Sequence, residues 1–156
     1  MCNLILNDED YMRLALDEAK KAYEQDEVPV GAIIVRNNEV ISSAFNTREY
    51  GKNALYHAEI KAIDEACKKL GGWRLVGCTM YVTLEPCPMC AGAIVNSRID
   101  RVVYGAKDAV AGCCGSVLNL NHYPFNHAFE LQGGVCEDEC RTILQEFFKK
   151  QREVQK

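Results

Sequence analysis

Apolar residues recur with two different periods along the chain. After Asn7 or Asp8, either of which can cap a helix, they return at helical spacing and predict a first helix that ends before Asp26. Its apolar face comprises Tyr11, Met12, Ala15, Ala19 and Ala22. Two short runs rich in β-branched residues follow, at 30–35 and 39–44. The turn between them predicts a β-hairpin.

Helix and strand patterns alternate beyond the hairpin. Apolar positions after His57 keep helical spacing until Gly71 and Gly72, which are typical of a helix end. The remaining predicted elements are a strand at 79–83, a helix opening at Cys87, a strand at 101–104, a loop at 105–115, a strand at 129–132 and a helix at 137–150. This order indicates an α/β sandwich with a mixed sheet, in which the helices after His57 and Cys87 lie side by side.

Length and composition fit one compact domain. The chain has 156 residues, 48% of them hydrophobic, so we expect residues 1–156 to form a single domain. No apolar run is long enough to cross a membrane, and the N-terminus lacks the features of a signal peptide. We therefore expect a cytoplasmic protein. The nine cysteines are odd in number, which favours reduced thiols and metal ligands over a disulfide framework.

Four residues in two short segments carry the candidate chemistry. His57 and Glu59 lie in His-Ala-Glu, and Cys87 and Cys90 lie in Pro-Cys-Pro-Met-Cys about thirty residues later. One imidazole and two thiolates leave a coordination position of Zn²⁺ open, as in catalytic rather than structural zinc sites. Zinc lowers the pKa of water towards about 7, and the Glu59 carboxylate is suited to carry the proton.

Other interpretations of these segments remain possible from the residues alone. Cys-x-x-Cys is also typical of thiol redox pairs, and the histidine of an isolated His-x-Glu is more often a cap or core residue. Because both segments are present and each opens a helix, we favour catalytic zinc. A zinc-stabilised binding module would not need Glu59. A second metal site is less favoured, and its candidate ligands would be Cys113, Cys114, Cys136 and Cys140.

Long stretches around these segments resemble the tRNA-specific adenosine deaminases of the cytidine deaminase-like superfamily. His-x-Glu followed by Pro-Cys-x-x-Cys marks the zinc-dependent nucleobase deaminases as a whole. The flanking matches narrow the resemblance to this family. They are 27–32, the segment ending in Asn46, 57–59, 81–93, 97–99, 102–108 and 147–150.

The resemblance implies a fold, a reaction and a set of roles. The fold would be a three-layer α/β/α sandwich with a central mixed five-stranded sheet. A homodimer with one Zn²⁺ per subunit would convert the wobble adenosine of a tRNA anticodon loop to inosine. The residues implied are His57, Cys87 and Cys90 as metal ligands, Glu59 as proton carrier, and Asn46, Val30 and Asp108 as substrate contacts. Without the resemblance, Asn46 and Asp108 are equally well explained as turn or cap residues, and Val30 as a core residue.

Two features of the sequence bear on the substrate. Family members commonly carry Pro-Thr-Ala before His-Ala-Glu, but this chain has Ala54, Leu55 and Tyr56, and Tyr56 could stack on a base or pack inward. The net charge is −4, whereas nucleic-acid binders usually carry a basic patch. A deaminase of a free base or nucleoside, of the guanine or cytosine type, is therefore the alternative function.

Local groups of cations could still contact RNA. Arg98, Arg101 and Lys107 are expected near the active site. A basic tail follows Phe148, and it could either contact RNA or complement the dipole of the last helix. The tail comprises Lys149, Lys150, Arg152 and Lys156.

Overall fold

The computed structural model describes residues 5–155, and its elements follow the predicted order. The helices are α1 (Asp8–Glu24), α2 (Ala58–Leu70), α3 (Pro88–Ser97) and α4 (Glu137–Val154). The strands are β1 (Gly31–Arg36), β2 (Glu39–Phe45), β3 (Cys78–Leu84), β4 (Arg101–Ala106) and β5 (Glu130–Gln132). A short 3-10 turn at Leu120–His122 was not predicted, because three residues carry no periodic signal. No helix within the described range is both long and apolar enough to span a bilayer.

The five strands form one mixed sheet in the order β2-β1-β3-β4-β5. β1 pairs antiparallel with β2 and with β3, whereas β3, β4 and β5 run parallel to one another. In the β1–β2 turn, Asn37 and Asn38 have φ angles of 51° and 60°, which suits a tight hairpin with left-handed central residues. The predicted hairpin and mixed sheet are confirmed.

Helices cover both faces of this sheet and give the three-layer sandwich. α1 packs across β1, β2 and β3, and α4 packs beside it on β3 and β4. On the opposite face α2 packs on β1 and β2, with α3 next to it, as predicted. The three central strands β1, β3 and β4 are almost fully buried, for example at Ile34, Met80 and Val102.

A capped N-terminus and a close contact fix α1 on the sheet. The Asn7 side chain accepts a hydrogen bond from the Asp10 amide at 2.9 Å, and the Asp10 side chain accepts one from the Asn7 amide at 3.0 Å, which forms a capping box. Gly31 at the start of β1 lies against the backbone of Ala15 and Ala19, where a methyl group would overlap both. α1 and β1 are therefore held at a distance that only glycine permits.

One edge of the sheet gathers the segments that carry the candidate chemistry. The parallel strands β3 and β4 both end there, and β1 begins there because it runs in the opposite direction. α2 and α3 start at the same edge, immediately after His57 and Cys87. In α/β sheets the crevice beyond the carboxyl ends of parallel strands is the usual place for a binding site.

Candidate metal centre and active site

Two helix N-termini hold the three predicted metal ligands. His57 is the N-cap of α2 and Cys87 is the N-cap of α3, and both have extended backbone conformations. Pro88 occupies the first turn of α3, where its missing N–H costs no hydrogen bond, and Cys90 lies in the same turn. The free N–H groups and the dipoles of both helices stabilise negative charge at this point. The local structure therefore favours thiolates here.

The ligand atoms have the spacing of a tetrahedral zinc site. Nδ1 of His57 lies 3.6 Å from Sγ of Cys87 and 3.6 Å from Sγ of Cys90. Zn–N bonds of about 2.05 Å and Zn–S bonds of about 2.3 Å place such atoms roughly 3.6 Å apart in a tetrahedron. Of the possible ligands within residues 5–155, only these three form a cluster, with all their donor atoms within 4.8 Å of one another. The donor set and its geometry therefore fit Zn²⁺ with one open position.

The two sulfurs and the imidazole are electrostatically coupled. The Cys90 thiol, as the larger cause, and the His57 ring together lower the pKa of Cys87 to about 4 through their hydrogen bonds to its sulfur. The same sulfur–sulfur contact raises the pKa of Cys90, as does its burial. The hydrogen bond to Cys87 raises the pKa of His57. The sulfurs thus share a negative charge and a proton, and a soft divalent cation can replace that proton.

Glu59 lies beside the three ligands in the first turn of α2. Its side chain is buried, with 4% of the residue exposed. Burial, with a smaller contribution from the Cys87 thiolate, raises the pKa of Glu59 to about 7. A carboxyl group with a pKa near the working pH can both accept and return a proton.

His57, Cys87 and Glu59 line a cavity of about 160 Å³ at the edge of the sheet. Pockets for drug-sized ligands measure about 300–1,000 Å³, so this one suits a single planar ring system. Every predicted site residue except the buried Cys90 lines it, including Val30, Asn46 and Asp108. The remaining lining residues are Val28, Arg48, Ala58, Leu84, Glu85 and Ala111.

The three predicted substrate contacts have structural roles as well. The Asn46 side chain donates to the Val28 carbonyl at 3.2 Å and accepts from the Arg48 amide at 3.2 Å, which leaves one amide proton and one lone pair for a ligand. Oδ1 of Asp108 accepts from the amides of Val110 and Ala111 and closes a turn. Val30 is 8% exposed and adds an apolar wall.

Two buried carboxylates hold the loops that form the cavity walls. Glu27, which is fully buried, accepts hydrogen bonds from the Glu49 amide at 2.7 and 3.2 Å and so fixes the loop that carries Asn46. Glu85 accepts from the amides of Asp108, Cys114 and Ser116 and fixes the opposite wall. Burial alone would raise the pKa of Glu85, but these bonds and the Ser116 hydroxyl outweigh burial and lower it.

Sequence reasoning missed Glu27, Glu85 and Arg48. Glu85 directly precedes Pro86 and Cys87, so its place in the motif was a usable signal. Glu27 opens the matching stretch 27–32, but its role and that of Arg48 depend on a loop that folds back towards the start of β1, which local sequence does not reveal.

The prediction that Arg98 and Arg101 lie near the active site is wrong. Arg101 is the first residue of β4 and pairs with Asp8 at 2.8 Å, roughly 16 Å of strand away from the Ala106 end. Arg98 donates to the Val95 carbonyl at the far end of α3 and stacks on Trp73. Arg98 and Arg101 are close in sequence to residues of the site. However, α3 and β4 extend away from the site, so both arginines lie at the opposite edge of the sheet.

Tyr56 packs away from the metal cavity. Its ring lies against Gly51 and lines a neighbouring cavity with Thr47 and Lys61. It is 39% exposed, so it packs on the loop that precedes His57 rather than in the core.

The remaining histidines and cysteines play local roles. The His127 ring lies 2.7 Å from the Ile99 carbonyl, and the His122 ring lies 3.2 Å from the Asn119 amide, as expected for loop residues. Cys140 is fully buried, as its helical spacing predicts. All described cysteines are free, and Cys2 lies outside the described residues.

The described basic residues of the predicted tail all lie in α4, and one of them also approaches residues at the end of α1. α4 continues to Val154, so Lys149 and Lys150 lie within the helix rather than at its end. Lys150 approaches Asp26 at 3.8 Å and the Tyr23 ring at 5.4 Å, whereas Arg152 lies in the last turn. Lys156 lies outside the described residues.

Comparison with known proteins gives consistent matches over almost the whole chain. The family model of the MafB19-like deaminases matches residues 6–152. The tRNA-specific adenosine deaminase of Bacillus subtilis is 53% identical over 96% of this chain and 93% of its own length. That of Aquifex aeolicus is 48% identical over 92% and 95%.

Solved structures agree with these sequence matches. A structure from a study of A-to-I editing by tRNA:A34 deaminases at the wobble position has a TM-score of 0.84 and 44% identity, over 86% of this chain and 98% of that one. A guanine deaminase from Bacillus subtilis has a TM-score of 0.63 and 36% identity, over 65% and 66%. The chain therefore belongs to the tRNA-specific adenosine deaminase family, within the deaminases that the MafB19-like model describes.

Proposed function

We propose that this protein is a zinc-dependent hydrolase that converts the wobble adenosine of a tRNA anticodon loop to inosine and releases ammonia. The observation that carries this proposal is the cavity in which Glu59, His57 and Cys87 meet a wall formed by Asn46 and Val30. The cavity holds a base and little more, which suits an enzyme that takes one nucleotide out of an RNA loop. The names of the 53% and 48% identical relatives support the same substrate.

The metal site accounts for the activation of water. His57, Cys87 and Cys90 would hold Zn²⁺, which supplies a Lewis acid that lowers the pKa of water towards about 7. Glu59 accepts the proton that water loses as its oxygen bonds to C6 of adenine, and passes it to N1. Glu59 then takes the proton of the new hydroxyl on C6 and delivers it to the amino group. The C6–N bond breaks, the C6 carbonyl forms and ammonia leaves, so water and adenosine yield inosine and ammonia.

The residues around the metal orient the base. The free amide proton and lone pair of Asn46 are available to the edge of the purine, and Val30 provides an apolar contact for its face. Asp108 lies on the opposite wall, where its carboxylate can contact a neighbouring nucleotide.

We further propose that residues 1–156 form a single domain and that the protein acts in the cytoplasm, where tRNA is modified.

Free-base deamination is the second candidate function. Its support is the likeness to the guanine deaminase from Bacillus subtilis, which covers about two thirds of each chain. The match to the tRNA:A34 deaminase structure is more complete, with a TM-score of 0.84 against 0.63. The tRNA substrate is therefore favoured.

We also propose that the protein is a homodimer that buries the outer face of α2 and α3. A cavity of about 560 Å³ on this face is lined mostly by apolar side chains, among them Leu55, Met89 and Phe125. Leu55 and Phe125 are 55% and 53% exposed. An exposed apolar patch of this kind marks a protein interface, and two identical patches can pair about a two-fold axis.

Replacing the proposed proton carrier should stop the reaction without removing the metal site. Glu59→Ala should lower kcat by about 10²–10⁴-fold, because no other group takes the proton from water. Bound zinc and the circular dichroism spectrum should be unchanged. Glu65→Ala, on the exposed side of the same helix, is the matched control and should keep full activity. Turnover at the wild-type rate in Glu59→Ala would refute the proton route.

A direct competition should separate the two candidate substrates. We expect an anticodon stem-loop with adenosine at the wobble position to yield inosine and ammonia. Guanine, adenine, adenosine and cytidine should react at least tenfold more slowly, since they lack the contacts outside the cavity. Chromatography of the nucleosides and an ammonia assay measure both products. Turnover of a free base without turnover of the stem-loop would exclude the tRNA assignment.

Light scattering should give the mass of two chains. Phe125→Arg should shift the protein to the mass of one chain, because a buried guanidinium without a partner is costly in an apolar interface. Phe148→Arg is the control, since Phe148 is similarly exposed on α4, away from the proposed interface. A wild-type mass of one chain, or equal effects of both variants, would contradict this assignment.

A further inference from the structure

Among the described residues that line the cavity beside His57 and Cys87, only Arg48 carries a guanidinium or ammonium group. The other charged side chains of the lining, apart from the metal ligands, are the carboxylates Glu59, Glu85 and Asp108. The nearest acidic partner of the Arg48 guanidinium is Glu49, the next residue in the chain, at 3.8 Å. The side chains of Arg48 and Glu49 are 49% and 75% exposed. A surface pair of this kind contributes little and exchanges readily for a better partner.

The loop presents Arg48 from a fixed backbone. The Arg48 amide donates to Oδ1 of Asn46 at 3.2 Å, and the Arg48 carbonyl accepts from the Asn53 amide at 3.1 Å. The next amide, that of Glu49, donates to the buried Glu27 carboxylate. The Gly51 amide closes the loop on the Thr47 carbonyl at 2.7 Å. The guanidinium therefore extends from an ordered segment that also positions Asn46.

The size of the cavity determines which part of the substrate meets Arg48. About 160 Å³ accommodates the reacting base, so the ribose and the phosphodiester groups on either side must lie at the entrance. A phosphate there would be repelled by the Asp108 carboxylate and attracted by the Arg48 guanidinium. The planar guanidinium can donate two parallel hydrogen bonds to phosphate oxygens.

We infer that Arg48 binds a backbone phosphate adjacent to the reacting adenosine and thereby selects polynucleotides over free bases and nucleosides. This inference rests on the proposed tRNA substrate and assigns part of its recognition to one side chain. Free adenine and adenosine carry no phosphate, so they gain nothing from Arg48. Arg48 acts in substrate binding and does not take part in the proton transfers of Glu59.

The test compares Arg48→Gln with Lys52→Gln, an equal charge change in the same loop. Lys52 is exposed and does not line the cavity. Arg48→Gln should lower kcat/KM for the anticodon stem-loop about tenfold or more, mainly through KM, since hydrogen bonds to charged groups are the strong ones. Lys52→Gln should change it less than threefold. Arg48→Lys, which keeps the charge but loses the paired donors, should fall between them and serves if Arg48→Gln does not fold.

Two further readouts distinguish a phosphate contact from a structural role. Binding is measured in a Glu59→Ala background, so that the stem-loop is not deaminated. The slope of the logarithm of the binding constant against the logarithm of the salt concentration should decrease in magnitude by about one when Arg48 is replaced. In the same Glu59→Ala background with Arg48 intact, a stem-loop with an uncharged methylphosphonate on the 5′ or 3′ side of the adenosine should bind about tenfold less tightly for one of the two positions. Arg48→Gln should add no further loss with that substrate.

Three results would overturn the inference. They are equal losses in Arg48→Gln and Lys52→Gln, an unchanged salt slope, and additive effects of Arg48→Gln and the methylphosphonate. Each requires wild-type activity on the stem-loop. A wild-type protein that does not deaminate the stem-loop would instead refute the proposed function.

Discussion

The structure depends on the meeting of two helix N-termini at one edge of the sheet. α2 and α3 each begin at a candidate metal ligand, and their free N–H groups and dipoles stabilise negative charge at the same point. Nδ1 of His57 can therefore lie 3.6 Å from each of the two sulfurs, in a site where two neighbouring thiolates would be unfavourable without compensation. The sheet sets this geometry, because parallel β3 and β4 end where both helices start.

Buried carboxylates rather than salt bridges shape the rest of the site. Glu27 and Glu85 are 0% and 1% exposed, and each satisfies its charge with backbone N–H groups of a loop. A carboxylate that accepts several N–H bonds in a buried place holds those amides in one arrangement, since losing the bonds would leave the charge unpaired. The backbone segments that carry Asn46, Arg48 and Asp108 are therefore held by the buried carboxylates behind them and need not order on binding.

Much of the fold and the metal centre could be predicted from the sequence. The helices, the hairpin and the mixed sheet follow from hydrophobic periodicity, which local sequence carries directly. His57, Cys87 and Cys90 were predicted together because their motifs open helices, and the structure places them in contact. Arg48, Glu27 and the true positions of Arg98 and Arg101 could not be predicted, since they depend on how loops and strand directions place distant residues. Glu27 and Glu85 are acidic residues in the interior. The hydrophobic pattern assigns acidic residues to the surface, so it does not predict their burial.

Metal content tests the central claim most directly. Elemental analysis of protein purified without chelator should give about one zinc per chain, and Cys87→Ser should lose it while Cys113→Ser retains it. Thiol titration of the active protein should show Cys87 and Cys90 reduced. Active protein that holds no metal, or in which these two sulfurs form a disulfide, would contradict the account.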